Sequence, residues 1–96
     1  VSEDMKIDGK VVVGEKTVIE KNVSVKGKVI FGKGCFIGKN CMFENTIIFD
    51  NTVIKENTSI LNSVIGSEVI IQQDCEIKNV SLSDKSIIYP FTKIGN

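Results

Sequence analysis

The sequence predicts an all-β fold, a single-stranded parallel β-helix of about five triangular coils. Three observations carry this prediction. Large apolar residues recur at every sixth position through the first half: Ile7, Val13, Ile19, Val25, Phe31, Ile37 and Phe43. After Phe43 the beat continues in steps of five, six and six through Ile48, Ile54, Ile60, Ile65, Ile71, Ile77, Leu82, Ile88 and Ile94. Three steps therefore make a repeat of 18 residues first and 17 residues later. Between the beats stand short corners with Gly and Asn. A short period of this kind reads as a solenoid built from hexapeptide turns.

Each beat closes a three-residue strand whose side chains point inward, outward and inward. The first coils read Val11-Val12-Val13, Thr17-Val18-Ile19, Val23-Ser24-Val25, Val29-Ile30-Phe31, Cys35-Phe36-Ile37 and Cys41-Met42-Phe43. The middle reads Thr46-Ile47-Ile48, Thr52-Val53-Ile54, Thr58-Ser59-Ile60, Ser63-Val64-Ile65 and Val69-Ile70-Ile71. The last strands are Cys75-Glu76-Ile77, Val80-Ser81-Leu82, Ser86-Ile87-Ile88 and Thr92-Lys93-Ile94. The third residue is always large and apolar. The first is Val, Thr, Cys or Ser, because a position near a corner of a triangular prism has less room than one at mid-face. β-branched residues also suit strands.

The corners carry turn residues. Gly14-Glu15-Lys16, Gly32-Lys33-Gly34 and Gly38-Lys39-Asn40 are typical. Gly and Asn tolerate left-handed backbone angles. The short steps have two-residue corners that end in Asn: Glu44-Asn45, Leu61-Asn62 and Lys78-Asn79. Gly9 and Gly27 hold the matching place earlier, and Asn96 continues the series. A second column, Asn22, Asn40, Asn57 and Asp74, falls on another edge. It reads chiefly as turn-permitting residues, with hydrogen bonds between stacked side chains as the alternative.

At 96 residues the chain is one β-helix domain spanning 1–96. Rungs about 4.8 Å apart give a prism roughly 25 Å long. No cap is visible at either end, so a C-terminal piece of a longer protein is expected. Twelve basic and twelve acidic residues balance. No basic stripe with interleaved aromatics appears, so nucleic acid is not an expected partner. No stretch approaches the roughly 20 apolar residues of a membrane span, and no membrane association is expected. Cys35, Cys41 and Cys75 all take the small inward position. Cys41 and Cys75 share a face two rungs apart, about 10 Å, whereas a disulfide needs Cα atoms within about 7 Å. Three reduced thiols acting as small hydrophobes fit a cytoplasmic protein.

The chain has no His. Its repeat resembles the left-handed β-helix of hexapeptide acyltransferases, and the resemblance covers nearly the whole chain. Left-handed coiling is implied by that resemblance. Those enzymes use a His as general base, and the related γ-class carbonic anhydrases hold a metal with three His. Neither chemistry can be built from these residues. Glu44, Glu56, Glu68 and Glu76 sit on corners or outward faces and read as solvated charges. No catalytic, cofactor-binding or metal-binding residue is assigned.

The second half narrows the resemblance. Asn62-Ser63-Val64-Ile65-Gly66, with Asn45-Thr46-Ile47-Ile48 one coil earlier, resembles the C-terminal domain of sugar-phosphate nucleotidyltransferases. That group includes ADP-glucose pyrophosphorylase and mannose-1-phosphate guanylyltransferase. The match runs roughly from Glu44 to Ile88. The G-x-G-x-R-L loop and Lys-Pro pair of that family's catalytic half are absent from these residues. Gly32-Lys33-Gly34 is a corner inside a regular repeat and not a phosphate cradle. The resemblance implies a non-catalytic domain for oligomerisation as a dimer or trimer, for docking on an N-terminal catalytic domain, and for hosting a regulatory ligand. Two alternatives stand beside it: a hexapeptide acyltransferase with its His outside this chain, and a scaffold subunit as in translation-factor or motor-adaptor complexes.

The outward residues sort into three columns. The first reads Lys6, Ser24, Met42, Ser59, Glu76, Lys93 and is mostly polar. The second reads Val12, Ile30, Ile47, Val64, Ser81. The third reads Val18, Phe36, Val53, Ile70, Ile87, with no polar residue. Contiguous exposed apolar patches mark interfaces. The third column, centred on Phe36, is the expected contact surface.

Overall fold

The computed structural model describes residues 4–96. Every strand pair is parallel. The chain winds as a left-handed triangular β-helix of about five turns. Its extents are 29 × 24 × 19 Å.

Three long strands open the molecule: β1 (Lys6–Val13), β3 (Ser24–Phe31) and β5 (Met42–Ile48). Between and after them come β2 (Val18–Ile19), β4 (Phe36–Ile37), β6 (Val53–Ile54), β7 (Ser59–Leu61) and β8 (Val64–Ile65). The last are β9 (Ile70–Ile71), β10 (Glu76–Lys78), β11 (Ser81–Leu82), β12 (Ile87–Ile88) and β13 (Lys93–Ile94). One sheet runs β1-β3-β5-β7-β10-β13 and branches through β8 and β11. The other runs β12-β9-β6-β4-β2.

The long strands differ from the sequence expectation of a break at every corner. Each of them turns one corner without leaving the ladder, so the first and second faces share a sheet. At the bend Gly9 pairs with Gly27, and Lys10 with Lys28. Positive φ at Gly9, Gly27 and Asn45 lets the strand turn within one residue. The switch from 18 to 17 residues is a register shift between Lys26 and Val29, where the corner around Gly27 opposes Glu44-Asn45. Asn45 Oδ1 accepts the Lys28 amide at 3.1 Å across this bulge. At the far end the positive φ falls on Gly95 rather than Asn96, while the Asn79 side chain donates to the Asn96 carbonyl at 2.7 Å.

The core is the inward column of beats. Val25, Phe31, Ile37, Phe43, Ile48, Ile54, Ile60, Ile65, Ile71 and Ile77 are buried. Phe31 and Phe43 meet edge to face with centroids 5.0 Å apart. Ile7 is exposed, and Val13, Leu82, Ile88 and Ile94 are half-buried, since each has a neighbouring coil on one side alone.

The small inward position is polar in a way that its size does not reveal. Thr52 Oγ1 donates to the Gly66 carbonyl at 2.8 Å and accepts the Val69 amide at 3.3 Å. Thr17 does the same between Gly32 and Cys35, and Thr58 between Gln72 and Cys75. These hydroxyls satisfy backbone groups at the corners that would otherwise be buried without partners. The corner Asn column is a ladder as well as a set of turns. Asn22 Nδ2 donates to Asn40 Oδ1 at 2.7 Å, and Asn40 Nδ2 to Asn57 Oδ1 at 3.2 Å. All three have φ near +60°.

Candidate interaction surface

Five two-residue strands build the third face. In each, one residue points out and the Ile that follows points into the core. The register sets Val18 beside Phe36, Phe36 beside Val53, Val53 beside Ile70, and Ile70 beside Ile87. The backbone thus brings all five expected contact residues into one column. Val18 and Ile87 are about half exposed, at 52% and 51%, and Ile70 is at 37%. Phe36 and Val53 are half-buried, and the three residues with in-register neighbours on both sides are less exposed than Val18 and Ile87 at the ends.

The second column is equally regular. Val12, Ile30, Ile47, Val64 and Ser81 lie in register, and Val12, Ile47 and Val64 are exposed. The first column also follows the sequence reading, from Lys6 through Ser24, Met42, Ser59 and Glu76 to Lys93. Glu76 and Lys93 form an exposed ion pair at 3.5 Å.

Three aromatics at corners extend the apolar surface beyond the columns. Phe49 is exposed on the edge between the second and third faces. Gly14, Gly32, Gly66 and Ser83 occupy that place in the other coils. Tyr89 and Phe91, 67% and 72% exposed, stand on the opposite edge of the third face. Phe91 has φ 62, in the column that otherwise holds Asn22, Asn40, Asn57 and Asp74. Sorting by strand triplet alone passes over these residues. The available signal was an aromatic at a corner where the other coils put Gly or a polar residue.

The cysteines are packing groups. All three are buried and unpaired. Their thiols donate to corner carbonyls of the next coil: Cys35 to Phe49 at 3.1 Å, Cys41 to Lys55 at 3.2 Å, and Cys75 to Tyr89 at 3.2 Å. Burial pushes the Cys35 thiol up from its ordinary value. It pushes Cys41 up to about 11. Protonated thiols of this kind are poor nucleophiles. Among the described residues no group of three or more His, Cys, Asp or Glu side chains could hold a metal ion. Among the same residues no helix is long and apolar enough to cross a membrane.

Parallel triangular coils, a hexapeptide beat and Asn or Gly corners define the hexapeptide-repeat class of left-handed β-helix proteins. Within it, the family model described as "EIF2B subunit epsilon LbH domain" matches residues 1–94, and the chain belongs to that family. Its β-helix is of the sugar-phosphate nucleotidyltransferase-like type. No curated protein sequence matches the chain. The fold recurs among solved structures. A chain from the crystal structure of the CcmM N-terminal domain in complex with CcmN superposes with a TM-score of 0.89 at 16% identity. That likeness covers 99% of this chain and 100% of the other. A mutant perosamine N-acetyltransferase from Caulobacter crescentus, in complex with CoA and GDP-perosamine, gives 0.92 at 10% identity. All of this chain then covers 47% of the enzyme chain, so it spans about half that protein's length.

Proposed function

We propose that this β-helix is a non-catalytic assembly domain that docks through its third face. It serves either another subunit or a catalytic domain of the sugar-1-phosphate nucleotidyltransferase type. One observation carries the reading: Val18, Phe36, Val53, Ile70 and Ile87 form an unbroken apolar column in register. Isolated exposed apolar residues are ordinary, but an aligned set bordered by Phe49, Tyr89 and Phe91 is not. Family membership supports the same reading, since the family is named for a domain of one subunit of a larger protein.

An acyltransferase reading rests on fold alone. This chain has no His, so a His general base for that reaction would have to come from elsewhere.

The test is the solution mass of the chain by light scattering across a dilution series, with Phe36→Lys/Ile70→Lys measured in parallel. Both side chains point outward, so circular dichroism should be unchanged. A self-associating chain should lose mass in the double variant. If the chain is a monomer, its binding to the other domains or subunits of its own protein should weaken by about tenfold or more. Unchanged mass and unchanged binding would remove the third face from the reading.

A further inference from the structure

The balanced net charge conceals a strong axial pattern. Between Lys21 and Phe43 the chain has five lysines and no acidic residue. In a solenoid, order along the chain is order along the axis. These lysines therefore belong to one level of the prism, and all five are exposed. Among the described residues none of them forms an ion pair.

Four of the five border the first face. Lys21 and Lys39 precede the hydrogen-bonded Asn22 and Asn40 at the corner that enters it. Lys26 and Lys28 stand where β3 leaves it. Lys10 lies in register with Lys28 on the next rung. Like charges placed directly opposite on neighbouring strands repel. Carboxylates offset this in part. Lys26 has Asp8 and Glu44 in register on its two sides. Glu20 accepts the Lys39 backbone amide at 3.2 Å. Among the described residues Lys10, Lys21 and Lys28 remain with no facing carboxylate in register, while Lys39 has Glu56 at the matching place of the next coil.

Between these rims lies a groove of about 260 Å³. Ser24 and Met42 line it, with Lys6, Lys26, Asp8 and Glu44 at its edges. Met42 is 46% exposed and interrupts an otherwise polar column. An apolar seat between two lysine rims fits a strip of backbone whose side chains alternate between carboxylate and hydrocarbon.

We propose that the first face docks an extended acidic segment of a partner protein, with one apolar side chain over Met42 and carboxylates against the lysines on both rims. This surface shares with the third face the corner that carries Lys21, Lys39 and Phe91, and Met42, inside the first face, tests it apart from the third.

The probe is a fluorescein-labelled peptide of Glu residues flanking a single Leu, followed by fluorescence anisotropy. A matched peptide carries Gln in place of every Glu. The acidic peptide binds and the Gln peptide does not. Raising salt from about 50 to about 300 mM weakens binding roughly tenfold. Lys21→Glu/Lys39→Glu weakens it by about tenfold, and Met42→Ser by about threefold. Lys16→Glu/Lys85→Glu, on the edge between the second and third faces, stays within about twofold. Lys21→Gln/Lys39→Gln is measured alongside and decides the matter should charge reversal unfold the chain. Equal binding of the Gln peptide, equal loss in the Lys16/Lys85 control, or no binding of the acidic peptide overturns the proposal. So does displacement of the peptide by a poly-uridine strand at equal charge concentration, which would make the face a general anion surface.

Discussion

The Thr52 hydroxyl lies 2.8 Å from the Gly66 carbonyl, and this bond joins the interior of one coil to the corner of the next. The same oxygen accepts the Val69 amide. One buried side chain thus serves a donor and an acceptor of a backbone that turns too sharply to serve them itself. Thr52→Val keeps the shape and removes both bonds. It should lower unfolding free energy by about 1–3 kcal/mol, the cost of leaving buried backbone groups unpaired. Val53→Thr, one residue away but outward, should change it by no more than about 0.5 kcal/mol. Urea unfolding followed by circular dichroism compares the two. Equal effects would show that the hydroxyl only fills space.

The Asn ladder separates into two contributions. Asn40 needs a positive φ, and its side chain bonds Asn22 below and Asn57 above. Asn40→Gly keeps the backbone angle and loses the ladder. Asn40→Ala loses both, and should be less stable than the Gly variant by about 1 kcal/mol, the left-handed strain of a Cβ-bearing residue. Identical thermal midpoints for the two variants would mean that backbone angle contributes nothing here.

Phe91 occupies the next place in that column with φ 62 and its ring largely exposed. A bulky residue there is strained, and Asn is better tolerated. Phe91→Asn should therefore stabilise the isolated chain by about 0.5–1 kcal/mol. A ring kept at such a position is worth its strain if it meets a partner, so the same variant should bind the third-face partner more weakly. A loss of stability in the isolated chain would show instead that the ring packs on its own coil.

Cys41 predicts a pH dependence. Burial raises its folded pKa from 9.0 to about 11, so folding favours the protonated thiol. That stabilisation is complete below pH 9.0 and is lost between there and about 11, because the unfolded thiol ionises first. The loss is on the order of 2–3 kcal/mol for one such group. Cys41→Thr keeps a hydrogen-bonding group of the kind seen at Thr58 and has no thiol to ionise. Stability of the native chain relative to this variant should fall by that amount between about pH 8 and about pH 11. A constant difference across the range would mean that the thiol ionises as readily folded as unfolded.

The three outward columns were legible residue by residue because a solenoid converts spacing into position. Adding 18 or 17 to a residue number finds its neighbour in the next coil, and Val18, Phe36, Val53, Ile70 and Ile87 followed from that arithmetic. Phe49, Tyr89 and Phe91 were not legible in the same way. They stand at corners, where the repeat governs backbone angle and leaves the side chain free to point outward. The continuity of β1, β3 and β5 was also hidden, since a Gly or Asn corner does not announce whether the ladder breaks or bends.

The order of large apolar residues alone decided that this chain is a five-coil β-helix, since a strict short period admits one way of burying every beat. The tertiary structure alone decided where the buried hydroxyls reach, how much of each apolar column meets solvent, and which lysines face one another. Those depend on how coils stack in space. A hydrogen bond from Thr52 to Gly66, or a repulsion between Lys10 and Lys28, exists only once two distant stretches of chain lie one rung apart.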